Sequence, residues 1–331
     1  MIGGAKYLVF LRLSSYHLSY FLSRFILFLN MEKKKIIYNG NRERIDIFLK
    51  TQLNYSREFI KKLILNGSIK VNSKEVKPSY ILICDDEIEI DLKSEEKNKT
   101  SLSSIIIYED KDIIVINKPN GMLVHPTDDN WMNDFSALEF SKNTLVWLLY
   151  SQRFSDQLLK MKRLGLVHRL DSDTSGIMVV AKNEKAQKNL IEQFTQREVS
   201  KNYKAVCAGV FEKDFLTVDA PIGRFSGFKK LEVMEYGRDA ITDFSLIERG
   251  KNFSYLDVFP RTGRTNQIRV HLSFIKHPVV GDKIYSKTNY DRLMLFSFKI
   301  TFTHPSKGKK VVFEAEIDKD FKKRVKDLIG K

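Results

Sequence analysis

Apolar residues recur along the chain with two different periods, and the changes between them predict helices and strands. A spacing of three and four residues, typical of one helix face, occurs twice between residues 45 and 64. Segments 69–72 and 87–90 instead alternate as strands. The two helical stripes are Ile45, Phe48, Leu49 and Leu53, and then Phe59, Ile60, Leu63 and Ile64. These elements predict a small unit of helices and strands from residue 42 to about residue 92.

A longer unit with mixed elements follows a polar segment. Residues 93–104 are rich in Ser, Lys and Glu with only Leu102 apolar, which predicts a flexible linker. Beyond it, apolar runs predict strands at 112–117, 177–181, 203–208 and 255–259, and helical spacing predicts helices at 183–197 and 265–275. We therefore expect a second domain, residues 105–331, that combines helices with strands.

The first 30 residues differ from the rest. They contain Lys6, Arg12 and Arg24 but no acidic residue, and many Leu, Phe, Tyr and Ser residues. Charged residues interrupt the apolar pattern, so no membrane-spanning helix is predicted. The segment could be a signal peptide, but no clear cleavage site follows it. An organelle-targeting segment is another interpretation of its composition. We favour Met31 as the true start, with residues 1–30 as an over-extended reading frame.

Charge and cysteine content narrow the class of protein. The 331 residues include 56 Lys and Arg against 41 Asp and Glu, a net charge of +15. Such a chain attracts phosphates, which fits an RNA partner, although a Lys-rich composition alone gives part of this excess. Cys84 and Cys207 lie in separate apolar segments. We expect neither a disulfide framework nor a metal site. The expected compartment is reducing.

The candidate chemistry lies in the segment Gly165–Gly176. Asp171 follows the apolar pair Leu166–Val167 and precedes the predicted strand at 177–181, so it is expected on a short loop between rigid elements. Arg169, two residues away, can hold a carboxylate in its ionised form. An oriented carboxylate can act as a nucleophile or a base. The alternative is an Asp that only caps a turn.

Four motifs, in order, resemble the RluA family of pseudouridine synthases. The first to stand out is His168-Arg169-Leu170-Asp171 with Thr174-Ser175-Gly176. The resemblance runs from about Arg42 to about Asp318. Its other motifs are residues 117–126 (NKPNGMLVHP), residues 201–205 (KNYKA), and residues 261–271 (RTGRTNQIRVH) with Gly281-Asp282.

The resemblance implies an α+β chain. Residues 31–92 would be a small S4 (αL-type) RNA-binding domain, 93–104 a linker and 105–331 the catalytic domain, with a mixed, mainly antiparallel bent sheet and a central RNA-binding cleft. In an S4 domain the second helix presents basic residues to RNA. Here these are Arg57, Lys61 and Lys62, which otherwise form a solvated helix face.

The implied reaction breaks the N-glycosidic bond of a uridine, turns the base and rejoins it through carbon five. It needs no redox change or energy input, so no cofactor or metal is expected. The resemblance assigns the essential carboxylate to Asp171, the aromatic ring against the base to Tyr203, and the basic partner of Asp171 to Arg269. Whether Asp171 attacks the base, attacks the sugar or removes a sugar proton stays open. In isolation, Tyr203 would be a half-buried strand tyrosine and Arg269 a surface helix arginine.

Further residues are assigned less specific roles. Arg169 is expected to shape the active loop, and His125 and His168 to support base opening or the RNA backbone, unless they are structural histidines. Two positions depart from the family pattern, because Asn266 and Met294 stand where His is usual. Neither is Asp171, Tyr203 or Arg269, so we expect the departures to affect substrate detail more than activity.

An S4 domain joined to this type of catalytic domain resembles the RluC/RluD branch, which modifies large-subunit ribosomal RNA. A transfer-RNA target is the alternative within enzymes. A non-catalytic RNA-binding ribosome-assembly factor is a second class, but it would not need the three candidate site residues. A metal hydrolase lacks a ligand cluster. We expect RNA as the partner, no membrane and no obligate protein partner, and a cytoplasmic location unless residues 1–30 target an organelle.

Overall fold

The structure, a computed structural model, describes two separately packed units. It covers residues 34–91, 100–126, 130–132, 135, 138, 141–152 and 156–330, apart from Asn54, Ser56, Lys229 and Asn289. Residues 34–91 belong to the first unit and residues 100–330 to the second. The hypotheses on residues 1–30 and on the linker interior at 93–99 fall outside the described residues.

The first unit packs two helices against a small antiparallel sheet. Its elements are β1 (Lys34–Ile37), β2 (Glu43–Arg44), α1 (Ile45–Leu53), α2 (Arg57–Leu65), β3 (Ile69–Val71), β4 (Lys74–Glu75), β5 (Ile81–Leu82) and β6 (Glu87–Ile90). The sheet order is β1-β6-β3-β4, and β2 pairs with β5. The predicted helical stripes supply the core, since Ile45, Leu49, Ile60 and Ile64 are at most 1% exposed.

The second unit is built on one large sheet with helices around it. Its strands are β7 (Ile106–Glu109), β8 (Ile113–Lys118), β9 (Ser175–Ala181), β10 (Ser200–Ala208), β11 (Phe215–Asp219), β12 (Ile222–Gly223), β13 (Glu232–Val233), β14 (Ile241–Arg249), β15 (Phe253–Pro260), β16 (Leu295–Thr303) and β17 (Lys310–Glu314). Its helices are α3 (Leu102–Ile105), α4 (Leu145–Gln152), α5 (Asp156–Lys160), α6 (Glu184–Thr195), α7 (Gln267–Phe274) and α8 (Lys319–Ile329).

The order of the nine strands confirms a mixed, mainly antiparallel sheet. It runs β11-β14-β15-β10-β16-β9-β8-β7, with β17 beside β16. The first half of β16 pairs with β9 in parallel, and its second half pairs with β17. The other edge of β16 pairs with β10. Strand β10, also bonded to β15, is therefore held on both sides at the centre of the sheet.

Helix α3 lies inside the segment predicted as linker. Leu102 is fully buried in the core of the second unit, and its backbone N–H donates to Gln152 Oε1 at 2.8 Å. The prediction placed the start of this domain at residue 105 because one apolar residue among polar ones gives no periodic signal. Only the tertiary packing shows that Leu102 fills the core beside α4.

Gly176 permits the parallel contact between β9 and β16. It pairs with Ser297 and has φ +113°, a region that residues with a Cβ rarely adopt. A Cβ at this position would overlap the carbonyl group of Ser297. Gly176 therefore sets how closely the strand that follows the Asp171 loop approaches its neighbour.

We predict that Gly176→Ala destabilises the second unit by about 2–4 kcal/mol, because it combines an unfavourable φ with a backbone clash. Gly227→Ala is the control, since Gly227 has φ +83° but no atom within 4 Å of its Cβ position. The control should lose only about 1 kcal/mol. Urea unfolding can be followed by the fluorescence of Trp131 and Trp147, the only tryptophans, both in this unit. Equal losses in both variants would contradict the packing argument.

Candidate active site

A cleft of about 640 Å³ in the second unit brings the main predicted site residues together. One wall is the loop before β9, a second is the corner between α6 and β10, and a third is the loop leading into α7. Asp171, Tyr203 and Arg269 come from these three separate segments and all line the cleft. The arrangement places a carboxylate, a phenol and a guanidinium around one cavity.

Asp171 and Arg269 form an ion pair across the cleft wall. Arg269 Nη1 donates to Asp171 Oδ2 at 2.9 Å. The side chain of Asp171 is 29% exposed and that of Arg269 10% exposed, so the carboxylate reaches the cavity while the guanidinium lies deeper. The pair orients one carboxylate oxygen and leaves the other without a hydrogen bond to Arg269.

Asp282 holds Arg269 from behind. Arg269 Nε and Nη2 donate to its two carboxylate oxygens at 2.6 and 2.8 Å, a bidentate pair. Asp282 is 1% exposed and also accepts from the backbone N–H groups of Ile284 and Tyr285. Burial opposes its ionisation, but these hydrogen bonds outweigh it and keep the pKa of Asp282 below its usual value. The sequence motif contained Asp282, yet no role for it was predicted.

Asn266 is a second contact of Arg269. Its Oδ1 accepts from Arg269 Nη1 at 3.0 Å, the same nitrogen that donates to Asp171. The residue has φ +55°, a left-handed conformation that Asn tolerates better than most residues. Asn266, one of the two departures from the family pattern, thus contacts the arginine that pairs with Asp171. Met294, the other departure, is fully buried in the core.

Tyr203 lies on the central strand β10, half-buried at the edge of the cleft. Burial raises the pKa of its phenol to about 12, the negative charge of Asp171 adds to this effect, and a hydrogen bond with Ser297 opposes it. The hydroxyl is therefore protonated throughout the neutral range. Because β10 pairs with a strand on each side, the ring is held on a rigid part of the sheet.

Lys118 anchors the loop that carries Asp171, and sequence reasoning assigned it no role. Its side chain is fully buried, and Nζ donates to the carbonyls of Pro119, Met122 and Ser172 at 3.0, 2.8 and 2.9 Å. Burial lowers the pKa of Lys118 to about 7, opposed by the charges of Asp171 and Asp173. Three carbonyl acceptors match the three hydrogens of an ammonium group. Ser172, the residue after Asp171, is thus tied to the end of β8.

Arg169 and the two candidate histidines all contact groups of the protein. Arg169 Nη1 lies 2.9 Å from His125 Nε2, and His125 Nδ1 lies 2.6 Å from the carbonyl oxygen of Pro126. His168 Nε2 accepts from the backbone N–H of Val179 at 3.0 Å, and burial lowers its pKa to about 3. Arg269, rather than Arg169, is thus the partner of Asp171, and the contacts of His168 are those of a neutral structural histidine.

On α2, Arg57 contacts a carboxylate of its own unit. Its Nε donates at 2.9 Å to Asp46, which is fully buried and also bonded to Arg44 Nε at 2.9 Å. The hydrogen bond from Arg44 contributes most to keeping the pKa of Asp46 low, with Arg57 adding to it against the effect of burial. The side chain of Arg57 remains 44% exposed. Arg57 therefore holds α2 to α1. On the same helix, Lys62 is exposed and Lys61 is partly buried.

One group among the described residues has the spacing of metal ligands. Donor atoms of Asp110, Asp112 and His304 lie within 4.8 Å of one another. They already form hydrogen bonds, because His304 Nε2 donates to Asp110 Oδ2 at 2.8 Å and Lys307 Nζ lies 3.2 Å from the same oxygen. The neighbouring ammonium group and these internal bonds disfavour a cation there. In the part of the chain that the structure describes, no helix is long and apolar enough to cross a membrane.

Comparisons with known proteins match both units. The family model for RNA pseudouridylate synthases matches residues 112–274, and the S4 domain model matches residues 43–88. An uncharacterized RNA pseudouridine synthase of Aquifex aeolicus is 37% identical over 86% of this chain and 93% of its own. The ribosomal large subunit pseudouridine synthase D of Neisseria meningitidis serogroup A is 34% identical, over 84% and 76%. Synthase C of Buchnera aphidicola is 31% identical, over 89% and 96%.

The fold of the second unit also resembles solved structures. Human RNA pseudouridylate synthase domain containing 4 superposes with a TM-score of 0.54 and 24% identity, covering 69% of this chain and 94% of the human chain. At this identity the match shows the fold. The matched segment 112–274 includes Lys118, Asp171, Tyr203 and Arg269, and all residues that line the cleft except Leu295 lie within it.

We predict that Lys118→Met destabilises the second unit by about 2–4 kcal/mol, since it removes the donor for three carbonyl groups in a buried site. Lys111→Met, at an exposed position in the turn before β8, should change stability by less than about 0.5 kcal/mol. Urea unfolding monitored by tryptophan fluorescence measures both. A Lys118→Met protein as stable as the wild type would show that water replaces the ammonium group without cost.

Proposed function

Because the chain belongs to the RNA pseudouridine synthase family, we propose that it isomerises uridines in large-subunit ribosomal RNA with Asp171 as the catalytic carboxylate. The observation that carries the role of Asp171 is its ion pair with Arg269, at 2.9 Å, in the cleft. The RNA class rests on relatives named ribosomal large subunit pseudouridine synthase C or D, which align with 84–89% of this chain at 31–34% identity.

The charge of the cleft supports an RNA substrate. Six basic side chains line it, and Asp171 is the single carboxylate among its lining residues. The six are Arg169, Arg197, Lys201, Arg261, Arg264 and Arg269. A concave surface with this charge attracts the phosphate backbone and raises the local RNA concentration. The net charge of +15 for the whole chain acts in the same direction.

In the proposed reaction, the target uridine leaves its stack and enters the cleft, at a cost of a few kcal/mol. The ring of Tyr203 lies against the uracil, and Asp171 acts on the uridine either as a nucleophile towards the base or sugar or as a base on the sugar. Arg269, fixed by Asp282 and Asn266, keeps the Asp171 carboxylate oriented. Once the glycosidic bond is broken, the base turns within the cleft, rejoins through carbon five and releases the proton of that carbon.

The first unit supplies a separate RNA contact in this proposal. Lys61 and Lys62 lie on α2 of the S4 domain, where cations would neutralise phosphates without reading the sequence. Arg57 would contribute less than Lys62, because its guanidinium is shared with the buried Asp46. The S4 domain would thus add affinity for a long RNA, whereas the cleft acts on the uridine itself.

We predict that Asp171→Asn abolishes pseudouridine formation while RNA affinity changes by less than about threefold, because an amide is neither a nucleophile nor a base here. Asp173→Asn, two residues further on the same loop, is the matched control and should retain most activity. Cells lacking the gene are complemented with each variant, and pseudouridines are mapped in all cellular RNA. Wild-type sites confined to transfer RNA would overturn the ribosomal target, and sites restored by Asp171→Asn would overturn the role of the carboxylate.

Tyr203→Phe should bind RNA nearly as well as the wild type but react at least about 100-fold more slowly in a single turnover, since the ring remains and the hydroxyl is lost. With its pKa raised to about 12, the Tyr203 hydroxyl of the wild type should stay protonated, so its ionisation should cause no loss of rate between about pH 7 and pH 10. Rates for both proteins across this range test the assignment. A normal rate for Tyr203→Phe would contradict a role of the hydroxyl and restrict the function of Tyr203 to its ring.

A further inference from the structure

Most of the basic side chains in the cleft are already engaged by protein groups. Arg269 pairs with Asp171 and Asp282, and Arg169 with His125. Arg261 forms a bidentate pair with Asp243, and Arg264 donates to the carbonyl oxygen of Asp239. The other two, Arg197 and Lys201, have no side-chain hydrogen bond or ion pair with any residue that the structure describes.

These two cations differ in their contact with water. Arg197 is exposed at the mouth of the cleft, so water solvates its guanidinium. Lys201 is partly buried, and burial lowers the pKa of its ammonium group. Its Nζ lies close to Gly263, since a Cβ built on that glycine would be 3.6 Å from it. A partly desolvated cation without an anion is unfavourable in the free protein, and an incoming anion would remove that cost.

The position of Lys201 suits one particular anion. Lys201 and Tyr203 alternate with Asn202 along β10, so both side chains point to the cleft face of the sheet, about 7 Å apart along the strand. That separation is comparable with the distance from the base to the phosphate within one nucleotide. Strand β16 pairs with both residues, Lys201 opposite Ile300 and Tyr203 opposite Ser297, with a register shift between Asn202 and Tyr203, and β15 pairs with Tyr203 on the other side.

We propose that Lys201 binds the phosphate group adjoining the target uridine and so positions the flipped nucleotide against Tyr203 and Asp171. The contact is a charge-assisted hydrogen bond from an ammonium that has no partner to release among the residues that the structure describes. It rests on the pseudouridine synthase activity of the family and on the proposed active site, but not on the ribosomal target.

Lys204 provides a matched control on the same strand. It faces away from the cleft, where its Nζ lies 2.8 Å from Asp257 and 5.1 Å from the centre of the Phe298 ring. Lys204→Met removes the same charge from the same strand without altering the cleft lining. Lys201→Arg keeps the charge at the proposed site and tests whether a conservative replacement restores binding.

The test uses a synthetic RNA hairpin that contains whichever uridine the mapping identifies, in ribosomal RNA or not. Two modified hairpins carry a neutral methylphosphonate at the phosphate on the 5′ or the 3′ side of that uridine. Single-turnover rates are measured against enzyme concentration. For the unmodified hairpin, Lys201→Met should raise the half-saturating concentration at least about tenfold, Lys201→Arg should largely restore it, and Lys204→Met should change it less than about threefold.

The decisive comparison combines protein and RNA changes. If Lys201 binds one of the two phosphates, a methylphosphonate there weakens the wild type at least about tenfold but has little further effect on Lys201→Met. The proposal would be overturned if Lys201→Met and the methylphosphonate weakened binding additively at both phosphate positions. It would also be overturned if Lys201→Met lowered thermal stability enough to account for its weaker binding. Turnover by Asp171→Asn on the same hairpin would instead contradict the proposed active site, so the two failures are distinguishable.

Discussion

The site depends above all on the guanidinium of Arg269. All three of its nitrogens donate hydrogen bonds, two to the buried Asp282 and one to both Asp171 and Asn266. A buried carboxylate without such a partner would be protonated or would disrupt the core. The bidentate pair therefore fixes the plane of the guanidinium, and that plane determines where the Asp171 carboxylate lies. A lysine would supply the charge but not this geometry.

The remaining parts of the site are held by backbone groups of the sheet. Lys118 ties the Asp171 loop to the end of β8, and Gly176 lets the following strand pair closely with β16. Tyr203 stands on β10, the strand between β15 and β16. Residues from distant parts of the sequence thus meet in the cleft because each is attached to the same rigid sheet, as precise positioning requires.

Charged residues in this protein separate into those that hold the fold and those that remain for a ligand. Arg57 and Arg44 neutralise Asp46 inside the first unit, although a helical projection places Arg57 among RNA-facing cations. In the cleft of the second unit, Arg169, Arg261, Arg264 and Arg269 have protein partners as well. A count of basic residues therefore overestimates the charge that is available to RNA. Of the two cleft cations without such a partner among the described residues, Arg197 is exposed and Lys201 is partly buried.

The sequence alone determined the family, the apolar helix faces of the first unit and three residues of the cleft, Asp171, Tyr203 and Arg269. Motifs and local periodicity carry this information because they depend on neighbours a few residues apart. Only the tertiary structure showed that Asp282 and Asn266 hold Arg269 and that Lys118 holds the loop of Asp171, whereas the family resemblance had already implied the pair of Arg269 with Asp171. The pair joins residues 98 positions apart, so it depends on strand order and register across the sheet. The burial of Leu102 could not be predicted from the local sequence pattern either, because the core that surrounds Leu102 is formed by segments distant in the sequence.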